Sequence, residues 1–148
     1  MENERTSHII KGEKTIYKPY TKCTFKGFSR NFPPELRSVI PPDEYDSIIK
    51  NINLNCIRSK KTSTLRVISV SGDILSMIVI GIPISVGCYV VDKIIYQRFY
   101  KKITKRIKTI LFQLNSSEPY LSKGIEFSLN KSPYSRLGVE YSLNIVYD

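Results

Sequence analysis

The chain has 148 residues, with 23 Lys or Arg against 13 Asp or Glu, so its formal net charge is +10. This length and a hydrophobic content of 41% fit one ordinary globular domain, and they exclude a disordered, collagen-like or disulfide-rich chain. A single histidine and three scattered cysteines cannot supply a zinc ribbon or a Cys-x-x-Cys redox pair, so we expect no metal and no cofactor. The charged N-terminus has no apolar run, which indicates cytosolic synthesis without a secretory signal.

The first half of the chain predicts an arm, two strands and a helix. Residues 1–14 are polar and unpatterned, which is typical of a loose N-terminal arm. The runs 15–17 and 23–25 are β-branched or aromatic and predict two short strands or one broken strand. A helix is predicted over about 42–57, because prolines and carboxylates open it and apolar residues follow at i, i+3, i+4 and i+7. The basic and hydroxyl-rich stretch 58–66 is typical of a solvated loop.

The stretch 74–91 has no charged residue in eighteen positions. As a helix it would cover about 27 Å, slightly less than a hydrocarbon core of about 30 Å. Pro83, in its middle, would kink that helix. Three interpretations stay open: a buried core helix or strand pair, a true span, and insertion into one leaflet or packing against a partner's transmembrane helices. The segment that follows favours the last of these.

A basic amphipathic helix is predicted directly after Asp92. Seven basic residues lie from Lys93 to Lys108, and apolar residues at helical spacing form the opposite face. A basic helix joined to an apolar segment is typical of a membrane surface, whereas the solvated face of an ordinary helix is the plainer alternative. The predicted membrane or partner contacts are Ile78, Ile80, Ile82 and Val86. The predicted basic surface consists of Lys101, Lys102, Lys105 and Arg106.

The end of the chain predicts a β-hairpin. Apolar residues alternate with polar ones over 125–129 and 137–147, and the residues 130–136 would join the two strands. The expected fold class is therefore α+β. A small, mostly antiparallel sheet, made of the N-terminal strands and the hairpin, would pack with the acidic-start helix and the apolar-to-basic helical segment. Residues 15–148 are expected to form a single domain.

No catalytic constellation stands out in the sequence. His8 lies in the arm, and the glycines form neither a P-loop nor a dinucleotide fingerprint, which argues against an enzyme acting alone. Cys88, near the end of the apolar run, is a candidate for reversible S-palmitoylation, the alternative being a small buried hydrophobe. The basic helix lacks interleaved aromatic residues suited to base stacking, so no nucleic-acid partner is expected.

The order of these features resembles the Golgin subfamily A member 7 family, which includes the fungal accessory subunits of Ras palmitoyltransferase. The resemblance covers roughly residues 15–148 and is carried by the order and spacing of several stretches. These are Cys23-Thr24-Phe25, Phe32-Pro33-Pro34-Glu35-Leu36, the acidic-start helix, the apolar segment, Tyr100-Lys101-Lys102-Ile103 and Gly138-Val139-Glu140-Tyr141.

The resemblance implies a non-catalytic subunit that binds and stabilises a membrane-embedded Asp-His-His-Cys protein S-palmitoyltransferase as a heterodimer. Such a subunit supports palmitoylation of Ras-like and other peripheral membrane proteins, and it lies on the cytoplasmic face of the Golgi or endoplasmic reticulum membrane. The alternative is a peripheral membrane module that binds anionic lipid through its basic helix, without an enzyme partner.

Overall fold

A computed structural model of the chain describes residues 6–11, 16–18, 22–61, 68, 81–135 and 138–147. The strands of this part are β1 (Thr6–Lys11), β2 (Ile16–Lys18), β3 (Lys22–Phe25), β4 (Arg58–Lys61), β5 (Glu126–Ser135) and β6 (Gly138–Tyr147). A 3-10 helix spans Pro34–Ser38, and the α-helices are α1 (Pro42–Cys56), α2 (Gly81–Asn115) and α3 (Glu118–Leu121). The mixture of helices and antiparallel sheet confirms the α+β class.

The strands form two antiparallel sheets of three strands each, in the orders β1-β6-β5 and β2-β3-β4. The C-terminal hairpin is confirmed as β5 and β6. The connection predicted over 130–136 was wrong in its extent, because pairing with β6 continues through Ser135 with an irregularity after Pro133. The single sheet was also wrong: among the described residues β2 and β3 pair with β4, whereas the hairpin forms a second sheet with β1.

Two segments predicted to be irregular are strands. Residues 6–11 of the expected loose arm form β1, which pairs with β6 from Thr6 opposite Tyr147 to Lys11 opposite Ser142. This pairing satisfies the edge of β6 and buries Ile10, which compensates for ordering a polar segment. The first residues of the expected solvated loop form β4, since the chain leaves α1 directly alongside β3.

Helix α1 confirms the helix predicted over 42–57. Pro41 precedes it with extended backbone, Pro42 opens it, and Asp43 and Glu44 lie in its first turn, where the positive end of the helix dipole favours carboxylates. Its apolar stripe is buried as the spacing predicts. The buried side chains are Tyr45, Ile48, Ile49, Ile52 and Cys56.

Helix α2 has 35 residues, which corresponds to about 52 Å at about 1.5 Å per residue. The basic helix and the second half of the apolar stretch therefore form one continuous element. Pro83 is the third described residue of α2, and the part of the apolar stretch before Gly81 lies outside the described residues, so the kink expected at Pro83 stays a prediction. Within the described ranges, the chain contains no helix long and apolar enough to cross a membrane.

The C-terminal half of α2 packs against the β1-β6-β5 sheet and α1 and supplies much of the core. Its buried side chains are Tyr100, Ile103, Ile107, Ile110 and Leu111. At the end of the helix, the side chain of Asn115 donates to the carbonyl of Phe127 over 2.9 Å and accepts from the Phe127 N–H over 2.8 Å. These contacts fix the direction of α2 relative to β5, and with it the position of the basic face.

Candidate membrane and partner interface

The N-terminal half of α2 exposes an unusual amount of apolar surface. Ile84, Val86, Tyr89, Val90, Val91 and Ile94 are all exposed. At about 100° per residue these positions cover more than half of the helix circumference, which is wider than a single stripe. Because so wide an apolar surface is normally covered by protein or lipid, this half of α2 is a candidate contact surface.

The predicted contact residues are placed differently by the structure. Val86 is 56% exposed on this surface. Ile82 is the second residue of α2, whereas Ile78 and Ile80 lie outside the described residues. Their contact role therefore stays a prediction for all four residues, and Val86 is the position at which it is most directly testable.

Cys88 and Asp92 lie four residues apart on one side of α2 and are both buried, at 8% and 1% exposure. A thiol enclosed in this way behaves as a small apolar side chain, and acylation would require it to become accessible. Lys93 follows Tyr89 by one turn of α2, and its ammonium lies 6.0 Å from the centroid of the Tyr89 ring. This distance is within the usual range for a cation–π contact.

The C-terminal half of α2 carries the predicted basic surface. Lys101, Lys102 and Lys105 are exposed, whereas Arg106 is only half-exposed. The Nη1 atom of Arg106 donates a hydrogen bond of 3.2 Å to the carbonyl of Asn55, in the last turn of α1. A guanidinium at the negative end of a helix dipole is stabilising, so Arg106 also holds α1 against α2.

Two open grooves flank the basic face of α2. One, of about 510 Å³, lies between α2 and β5 and includes Lys101, Lys105, Lys108 and Lys131 in its lining. The other, of about 670 Å³, lies between α1 and α2 and is lined in part by Asn51, Asn55, Lys102 and Arg106. Lysine ammonium groups are hydrogen-bond donors only, so both grooves suit anionic acceptors. Within the part of the chain that the structure describes, no three His, Cys, Asp or Glu side chains are grouped as a metal site would require.

A buried polar contact supports the basic face from behind. The hydroxyl oxygens of Thr104 and Tyr141 lie 2.9 Å apart, which joins the middle of α2 to β6. The pKa of Tyr141 is raised to about 12, mainly because burial removes its hydroxyl from water. Tyr141 is therefore neutral at physiological pH, and its ring packs edge-on against Phe25.

The predicted basic surface left out two lysines of the groove between α2 and β5. Lys108 follows Lys101 and Lys105 at helical spacing and could have been included from the sequence alone. Lys131 gives no such signal, because it belongs to β5 and reaches the groove only through the packing of α2 on the hairpin.

The described features define an α+β domain with one long helix, apolar and exposed in its first half and basic in its second. A model of the Golgin subfamily A member 7/ERF4 family matches residues 15–135, and the chain belongs to this family, which is known in general as the palmitoyltransferase accessory family. No curated protein and no solved structure matches the chain.

Proposed function

We propose that the chain is a non-catalytic accessory subunit that binds and stabilises a membrane-embedded Asp-His-His-Cys protein S-palmitoyltransferase. In this role it supports palmitoylation of Ras-like and other peripheral membrane proteins on the cytoplasmic face of the Golgi or endoplasmic reticulum membrane. Membership of the family supports an accessory role in palmitoyl transfer. The cysteine that carries the acyl group belongs to the partner.

The observation that carries the proposal is the exposed apolar half of α2. Leaving six large apolar side chains in water is unfavourable, at roughly 25 cal/mol per Å² of apolar surface. Contact with a polytopic enzyme or with the upper part of a leaflet removes this cost. The basic half of the same helix would then lie near anionic headgroups, where each positive charge contributes about 1 kcal/mol.

The proposal is tested by affinity purification of the tagged full chain from detergent-solubilised native membranes. We expect a polytopic Asp-His-His-Cys protein in near-equal amount, and loading of its catalytic cysteine with palmitate that declines when the chain is depleted. Recovery of the intact chain without such a protein would reject the accessory role.

The exposed lysines of α2 favour a second candidate function, a lipid-surface module that works without an enzyme partner. This module would bind bare anionic vesicles at full affinity. The accessory subunit would instead depend on its partner for solubility and for stable membrane recovery.

A further inference from the structure

We propose that the groove between α2 and β5 binds the phosphorylated inositol headgroup of a membrane lipid. The inference depends on one part of the proposed function, which is that the chain lies at a membrane. It adds a lipid specificity to that function, and it requires no enzyme partner.

Four exposed lysines from two elements line this groove. Lys101, Lys105 and Lys108 come from α2, and Lys131 comes from β5. Among the described residues that line the groove, none is acidic. The groove lining therefore offers no carboxylate to neutralise the four ammonium groups, and each of them has three donors for a ligand rich in acceptor oxygens.

The number of charges favours a polyphosphorylated ligand. A phosphate monoester carries about −1.5 to −2 charges at neutral pH, so two monoesters on one ring balance four lysines. A lipid headgroup with only about one net negative charge would leave most of the lysine repulsion uncompensated. The groove volume of about 510 Å³ is within the usual range for a small-molecule site.

The surroundings of the groove favour a lipid over a soluble inositol phosphate. Phe112 lines the groove with its side chain 72% exposed. Exposed Val90 and Ile94 precede Lys101 on the same outward face of α2, since their separations of eleven and seven residues are close to whole numbers of turns. The lysines thus lie between apolar side chains that can enter the acyl boundary while a headgroup occupies the groove.

General attraction to negative charge makes a different prediction. Under general attraction, every exposed lysine near the membrane would contribute equally to binding, including Lys102, which lines the other groove. A specific groove instead depends on Lys131, which lies on the sheet and outside the basic helix. Lys131 therefore distinguishes headgroup binding from simple surface attraction.

The test measures binding of the purified full chain, together with any partner that it retains, to three preparations. These are phosphatidylcholine vesicles with phosphatidylinositol bisphosphate, vesicles of equal total charge with phosphatidylserine, and soluble inositol trisphosphate. We expect the first to bind at least about tenfold more tightly than either of the others. Equal affinity for the two vesicles would overturn the proposal, and equally tight binding of the soluble phosphate would overturn its lipid source.

The variant Lys108→Gln with Lys131→Gln, whose two lysines line this groove and not the groove between α1 and α2, is compared with Lys50→Gln with Lys123→Gln. Both pairs remove two exposed positive charges, but neither Lys50 nor Lys123 lines the groove. At about fivefold per lysine, the groove pair should bind phosphoinositide vesicles about 25-fold more weakly, and the control pair less than about twofold more weakly. Equal losses in the two pairs would overturn the proposal.

A further variant, Lys102→Gln, should leave the preference for the phosphoinositide intact. The lipid proposal and the accessory role can be rejected independently. If the chain shows no lipid preference, we still expect the enzyme to co-purify with it, and if no enzyme co-purifies, we still expect the chain to bind the vesicles. Should the groove pair lose only the enzyme and keep its lipid binding, the lysines bind an acidic protein segment and the headgroup proposal is rejected.

Discussion

The side-chain amide of Asn53 holds the backbone of Phe28 by two hydrogen bonds of 2.8 Å, one in each direction. The two residues are 25 positions apart, so this contact joins α1 to the segment that follows β3. Gly27 lies beside the amide with φ of 97°, in the left-handed region that favours glycine. The arrangement fixes the start of the segment from β3 to α1 through backbone geometry as well as through apolar packing.

We expect Asn53→Ala to destabilise the fold by about 2 kcal/mol, because it leaves the Phe28 N–H and carbonyl without this partner in a part-buried position. Urea unfolding measures the loss. Asn55→Ala is the matched control, since the Asn55 amide donates to Asn51 on the exposed side of α1 and its loss should cost less than about 0.5 kcal/mol. Equal losses would contradict the role of the Asn53 contact.

Replacing Gly27 tests the same contact from the other side. A Cβ at this position would overlap the Asn53 amide oxygen, and the positive φ adds strain, so Gly27→Ala should cost at least about 2 kcal/mol. In the double variant with Asn53→Ala the overlap is relieved. Its loss of unfolding free energy should therefore be smaller than the sum of the two single losses, whereas simple additivity would contradict the geometry.

The buried tyrosines predict a loss of stability at alkaline pH. Burial raises the pKa of Tyr45 and of Tyr141 to about 12, above the ordinary value of 10.0. Because the unfolded chain releases these protons first, this stabilisation is complete below pH 10 and is lost as the pH rises toward 12. Tyr141→Phe should flatten the decline measured by unfolding from pH 9 to 12. An unchanged profile would show that Tyr141 is not protected in the folded state.

Elements whose buried apolar residues recur at a regular spacing along the chain could be predicted from the sequence. Helix α1 and the C-terminal half of α2 have apolar stripes at helical period, and both were predicted as helices. The bounds were nearly correct for α1, whereas the basic helix was predicted to begin after Asp92 and α2 already includes Gly81. Strands β1 and β4 have no such pattern, because they are ordered mainly by pairing with β6 and β3. Such pairing depends on which edge the rest of the fold leaves free.

The candidate site could likewise be predicted only in part from the sequence. The exposure of Lys101 and Lys105 follows from the amphipathic pattern of one helix. The anchoring of Arg106 on Asn55 and the approach of Lys131 to the helix require tertiary packing, which no local spacing encodes. The predictions for Ile78 and Ile80 lie outside the described residues.

Charge reversal on the basic face should weaken membrane association while the fold survives. In Lys101→Glu with Lys105→Glu, both substituted side chains are exposed, so the far-ultraviolet spectrum and thermal midpoint should hold while membrane recovery falls at least about tenfold. Lys50→Glu with Lys123→Glu is the matched control for net charge. Unchanged recovery of the first variant at physiological salt would argue against an electrostatic role for α2.

Site-specific photo-crosslinking from α2 tests the central claim most directly. A photoreactive side chain is placed at Val86, and in a parallel protein at Leu54, which is 72% exposed on α1 and provides an exposed apolar control on a different helix. Irradiation of native membranes should join the Val86 protein, and not the Leu54 protein, to a polytopic Asp-His-His-Cys palmitoyltransferase. Adducts to this enzyme from both positions alike, or from neither, would contradict the assignment of the exposed apolar half of α2 as the contact surface.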